Sequence, residues 1–148
     1  MKYAGWVLCL LFLVPALQAL EIQAGSSFKI TGIVRKQDKL QLPVERDKYY
    51  NIRILSKETL DFARTCKEPC RQPFENAVPA LQEIRPAATR ENMWIASVEF
   101  NRAWLVTFLV FKKKQEWTVK APTNFVFLDK NLETQTRELI LQAVRENK

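Results

Sequence analysis

Apolar and polar positions alternate with a period of two through most of the second half of this chain. From Met93 to Phe100, Trp94, Ala96, Val98 and Phe100 fall on one side and Ile95, Ser97 and Glu99 on the other. That period is the mark of a β-strand. Asn101-Arg102 then suits a tight turn, because asparagine tolerates a left-handed backbone. Ala103 to Phe111 is apolar on both faces, as expected of a central strand covered on both sides. Beyond Lys112, Lys113 and Lys114, EWTVKA alternates through Trp117 and Val119, and NFVFL adds a further short strand. After Asp129 or Asn131, either of which can cap a helix, the period changes. Leu132, Leu139, Ile140, Ala143 and Val144 form a helical stripe, and Glu133 and Arg137 can pair at i, i+4. The stripe needs a sheet to lie on.

The first half repeats the strand pattern less strongly. Phe28, Ile30 and Val34 alternate in SFKITGIVR. Leu40, Leu42 and Val44 follow, with Pro43 arguing for an edge position, then Tyr50, Ile52 and Ile54. KETLDFART is expected to form one or two helical turns with Leu60 and Ala63 inward. From Thr65 to Asn92 the pattern is irregular, and four of the seven prolines lie there. Pro79 suits a first helical position, so PALQEIR is expected to be a short helix ended by Pro86. The expected fold is α+β: a mainly antiparallel sheet against a C-terminal helix, with a short irregular and helical excursion in the middle.

The N-terminus alters the residue count. Lys2, an apolar run from Tyr3 to Val14, and small residues at Ala16 and Ala19 have the form of a secretory signal peptide. The run is shorter than the ~20 residues of a membrane span, which favours cleavage over an uncleaved anchor. Cleavage is expected after Ala19, with Ala16 and Ala24 as alternatives. Residues 1–19 are then a leader and 20–148 one exported domain, periplasmic or extracellular. Such a domain is large enough to bury about two thirds of its unfolded surface.

Cleavage removes Cys9, which leaves Cys66 and Cys70 of the three cysteines. The spacing is wrong for a thioredoxin-type motif. Two cysteines without a histidine fall short of a zinc site. In an oxidising compartment this pair is expected to be a structural disulfide that pins the excursion.

Losing Lys2 lowers 23 basic residues to 22 against 16 acidic ones, a net charge of +6. The balance favours acidic partners (another envelope or secreted protein, or an anionic lipid or polysaccharide surface) over nucleic acid. Without histidine, the usual nucleophile triads are excluded. With three glycines in all, no phosphate-binding loop is present. No cofactor or metal is expected.

The remaining catalytic candidate is Glu99, which needs a second carboxylate: Glu91, Glu116 or Asp129. Lys112, Lys113 and Lys114 project from a hairpin end and, with Trp94, Trp104 and Trp117, are the candidate binding residues, since tryptophan is enriched at interaction hot spots. The expected function is therefore non-catalytic: an exported binding or assembly accessory protein acting through a protein–protein interface. The alternatives are an inhibitor of a secreted enzyme, inserting the stapled Cys66–Cys70 loop, and a small carboxylate-based hydrolase.

Overall fold

A computed structural model describes residues 17–43 and 52–147. Residues 1–16, where most of the leader falls, and Val44 and Tyr50 lie outside them. The chain order is β1 (Gln18–Ala24), β2 (Phe28–Lys36), β3 (Lys39–Gln41), β4 (Ile52–Ile54), α1 (Lys57–Thr65), β5 (Cys70–Gln72), β6 (Pro79–Pro86), β7 (Met93–Phe100), β8 (Trp104–Lys113), β9 (Glu116–Lys120), β10 (Phe125–Phe127) and α2 (Lys130–Glu146). The α+β fold holds.

The strands form two five-stranded sheets. The first has the order β10-β2-β1-β5, with β3 on β2, and the second β4-β8-β7-β6, with β9 on β8. Every pairing is antiparallel except β1 with β5.

The main core lies between the sheets and under α2, and Ala87, Met93, Ile95 and Leu109 form a smaller separate cluster. Phe28 packs 5.1 Å from Phe100 and 5.0 Å from Phe125, while Phe108 meets Phe127 at 6.1 Å. These ring pairs join β2 and β10 of the first sheet to β7 and β8 of the second. Such pairs add about 0.5–1.5 kcal/mol each beyond the area they bury. α2 buries Leu132, Thr136, Ile140, Ala143 and Val144, so Thr136 takes the place expected of Leu139. Its hydroxyl donates to the Leu132 carbonyl at 2.8 Å, which is how a polar group is tolerated there. Asp129 is the N-cap, and Arg137 reaches Glu133 at 3.0 Å.

Two β-bulges account for departures from the sequence pattern. In β2, Thr31 and Gly32 together oppose Glu21, because Leu20 pairs with Ile33 and Ile22 with Ile30. Gly32 has φ +73°, a conformation that glycine adopts without strain. The extra residue turns Ile33, rather than Val34, into the core. The helix expected at PALQEIR is strand β6. Its register shifts between Leu81 and Glu83, so Leu81 sits opposite Val98 and Ile84 opposite Ala96. An i, i+3 apolar spacing looks helical, yet a bulged strand puts the same two residues on one face.

α1 begins at Ser56, whose Oγ accepts from the Thr59 amide at 3.1 Å. It ends at Cys66, the C-cap, which is disulfide-bonded to Cys70 at the head of β5. Arg35 covers the same helix end, donating to the Ala63 carbonyl at 3.2 Å and to Gln18 Oε1 at 3.0 Å. A cation there complements the helix dipole. Closing so short a loop contributes about 2 kcal/mol on the loop-entropy account.

Below the staple runs a buried polar chain. The Trp104 indole donates to Gln72 Oε1 at 2.9 Å, and Gln72 Nε2 donates to Thr59 Oγ1 at 3.0 Å. Thr59 and Ser56 hydroxyls meet at 2.8 Å. Thr59 is buried, and Leu60, expected inward, is only half-buried.

Gln72→Leu is expected to lower unfolding free energy by about 1–3 kcal/mol, because it strands the Trp104 indole without a partner in the interior and leaves the Thr59 hydroxyl its bond to Ser56. Urea denaturation measures this as a lower midpoint with an unchanged slope. A shift under about 0.5 kcal/mol would show that the chain is dispensable.

Candidate functional site

The site is built at the end of the second sheet where β6 turns into β7 and β8 into β9. Lys113 pairs with Glu116, and the two residues between, Lys114 and Gln115, take φ of 47° and 72°. Positive φ at both positions is the twist that closes a two-residue hairpin. One step back, Lys112 pairs with Trp117, and its ammonium lies 5.9 Å from the indole centroid. At an exposed position a cation–π contact of this kind is worth about 0.5–1 kcal/mol.

Trp94, Val110 and Val119 form a cross-strand row on the inner face, with Trp117 two residues from Val119 on the same face. Both indoles are half-buried: one side packs on the core while the other remains accessible. The β6–β7 loop folds over this end of the sheet. Its ends are held by Ala87 N–H to the Met93 carbonyl at 2.8 Å and Lys112 N–H to the Asn92 carbonyl at 3.1 Å. Between the loop and the indoles lies a groove of about 590 Å³, where Thr89, Arg90, Glu91 and Asn92 face Trp94 and Trp117.

A second groove of about 350 Å³ lies on the other side of the same loop. Arg90, Glu91, Asn92 and Met93 line it too, now with Phe111 and Lys120. Met93, Phe111 and Lys120 alternate with the Trp94–Val110–Val119 row, so this groove opens on the opposite face of the sheet. Arg90 and Glu91 line both grooves, Lys112 and Lys120 line the second, and Lys113, Lys114 and Glu116 follow on the adjoining hairpin. The rim is cationic.

Trp94, Trp117 and Lys112 are thus brought together, with Lys113 and Lys114 exposed beside them. Trp104 is elsewhere, fully buried in the core. The sequence pointed to none of Arg90, Asn92, Phe111 or Lys120. AATREN reads as an ordinary polar turn, and nothing local says that it folds back over two tryptophans.

Other candidates lead away from catalysis and redox chemistry. Cys66 and Cys70 form a disulfide only 9 % and 3 % exposed. Thiol–disulfide exchange requires access to a sulfur, so this staple is structural. A hollow of about 750 Å³ beside it is bordered by Glu21, Glu68 and Arg71, charges of both signs.

Glu99 is half-buried on the outer face, opposite Leu105 and Ala80 and in the same row as Ser97. Glu91 lies beyond the far end of β7, six or more residues away, or roughly 20 Å along a strand. Glu116 is as remote, and paired glycosidase carboxylates stand about 5–9.5 Å apart. Asp129 is engaged as the α2 cap, with Oδ1 accepting from the Asn131 amide at 2.9 Å. Among the described residues no group of three or more His, Cys, Asp or Glu is arranged for a metal.

Iodide quenching checks the division of the tryptophans. Trp94 and Trp117 are expected to be quenched, aided by the cationic rim, and Trp104 to be shielded. In a Trp94→Phe/Trp117→Phe double variant the iodide-accessible emission of the leader-free protein should disappear. Persistent quenching would place Trp104 at the surface.

No protein-family model matches this chain, and it shows no significant similarity to a curated protein or to a solved structure.

Proposed function

We propose that this is an exported, non-catalytic binding or assembly accessory protein, and that it engages a partner protein through the Trp94–Trp117 groove and the lysine-bearing β8–β9 hairpin. The observation that carries the reading is the convergence of two half-exposed indoles and Arg90 on one groove of about 590 Å³, with the Lys112 ammonium 5.9 Å from the Trp117 ring beside it. Aromatic and arginine side chains in a partly desolvated hollow are the usual anchors of a protein interface. The cationic rim adds preference for an acidic partner and speeds encounter at low salt.

The inhibitor reading is less well supported. Cys70 is held in the β1–β5 ladder opposite Ile22, so the stapled loop lies against the sheet instead of standing out as an insertion loop. The exposed lysine run does favour one second reading, docking on an anionic lipid or polysaccharide surface.

Crosslinked capture from intact cells tests the main reading. One stoichiometric protein partner is expected. Its capture should weaken as salt rises, and should fall about tenfold or more, equivalent to about 1.4 kcal/mol, in Trp117→Ala and in the triple Lys112→Gln/Lys113→Gln/Lys114→Gln variant. Capture unchanged in both variants would remove the site. Retention of lipid or glycan alone would move the assignment to the second reading.

Export makes a separate prediction. β1 starts at Gln18, whose side chain binds Arg35. Ala19 pairs with Val34, and Leu20 is buried. Cleavage after Ala24 would remove β1, the strand between β2 and β5, and cleavage after Ala19 would sever the Gln18–Arg35 bond. Intact mass of the exported protein is therefore expected to place its first residue at Leu17, after Ala16. A first residue at Gly25 would contradict the fold.

A further inference from the structure

The two grooves open on opposite faces of one sheet yet share Arg90, Glu91, Asn92 and Met93 as a common wall. A flat protein surface pressed on one face reaches only one of them. A chain passing over the β6–β7 loop reaches both. A sheet with its side chains is about 10 Å thick, and three or four extended residues at ~3.3 Å each cover that distance.

The chemistry along such a path changes in order. Trp94 and Trp117 offer an apolar hollow on the inner face. Arg90 and Lys112 stand at the crossing, and Phe111 with Met93 and Leu109 offers a second apolar hollow beside Lys120 on the outer face. Arg90, Lys112 and Lys120 line the grooves against a single carboxylate, Glu91, a balance that selects a negative chain.

Resting on the reading above, we propose that both grooves are occupied by one extended acidic segment of the partner protein. An apolar residue sits between Trp94 and Trp117. Two to four aspartates or glutamates then cross the loop against Arg90 and Lys112, and a second apolar residue sits on Phe111. Extended segments with alternate anchors are a recurrent way for one protein to hold another. The crossing supplies specificity, because a neutral chain would desolvate the Arg90 and Lys112 charges without offering a carboxylate in return.

The test is selection from a random dodecapeptide library displayed on phage, against the immobilised exported protein at low salt. Fluorescence anisotropy then measures binding of the enriched peptides. The expected winners carry a short Asp/Glu run between two apolar residues. Their affinity should drop about fivefold or more, equivalent to about 1 kcal/mol, in Trp117→Ala and separately in Phe111→Ala and Lys120→Gln. Replacing their acidic residues by the corresponding amides should weaken binding by more. Lys120→Gln changes an exposed side chain and guards against a misfolded Phe111→Ala variant.

Winners sensitive to Trp117→Ala alone would leave the proposed binding site standing and overturn the two-groove path. No enrichment, or winners indifferent to all three variants, would overturn both. So would binding of phosphatidylglycerol vesicles or polygalacturonate at this site in the absence of any peptide binding.

Discussion

The fold turns on a single buried glutamine. Gln72 belongs to β5 in the first sheet, binds Thr59 of α1, and accepts from Trp104 of the second sheet. Two consecutive elements and a strand distant in sequence thus meet at one side chain that is only 8 % exposed. A buried amide is costly unless both its donor and its acceptor find partners. Here the acceptor has the indole and a donor has the threonine hydroxyl, so the polar junction is tolerated and also specific. Apolar packing alone tolerates alternatives of similar volume; a hydrogen-bonded chain accepts one arrangement.

The disulfide and Arg35 act on the same junction from outside. Cys66–Cys70 ties the end of α1 to the start of β5, two residues before Gln72. Arg35 links that helix end to β1 and β2 through the Ala63 carbonyl and Gln18. The irregular middle of the chain is therefore held by a covalent link, a charge on a helix end and a buried amide. The Phe28–Phe100–Phe125–Phe108–Phe127 group clamps the two sheets elsewhere. Held in this way, the second sheet presents its β6–β7 and β8–β9 ends together, which creates the candidate site.

Strong periodic patterns were legible. The β7–β8 hairpin, the burial of β8 on both faces and the terminal helix with its Asp129 cap follow from local spacing and turn chemistry. Weaker patterns misled for a physical reason: a bulge changes which residues share a face without leaving an unambiguous local sign. Leu81 and Ile84 therefore imitated a helix, and Ile33 took the core place expected of Val34. β1 escaped notice because its first residues overlap the expected leader, where hydrophobicity has two explanations. At the site, the lysines and all three mature-chain tryptophans were candidates, of which Trp94 and Trp117 line the groove and Trp104 lies in the core; the loop from Ala87 to Asn92 that completes both grooves was not visible.

By itself, the sequence determined the α+β class, the pairing of Cys66 with Cys70, and the absence of the histidine and glycine motifs on which several catalytic chemistries rest. These depend on composition and short-range periodicity, which the chain carries locally. Tertiary structure alone decided that Trp104 is a core donor while Trp94 and Trp117 line a groove. All three indoles lie in strands with similar apolar neighbours, and only long-range pairing gives one of them a buried amide and the others an open side. It also decided that Glu99 is remote from Glu116, because a separation across a sheet is set by register, which no single strand specifies.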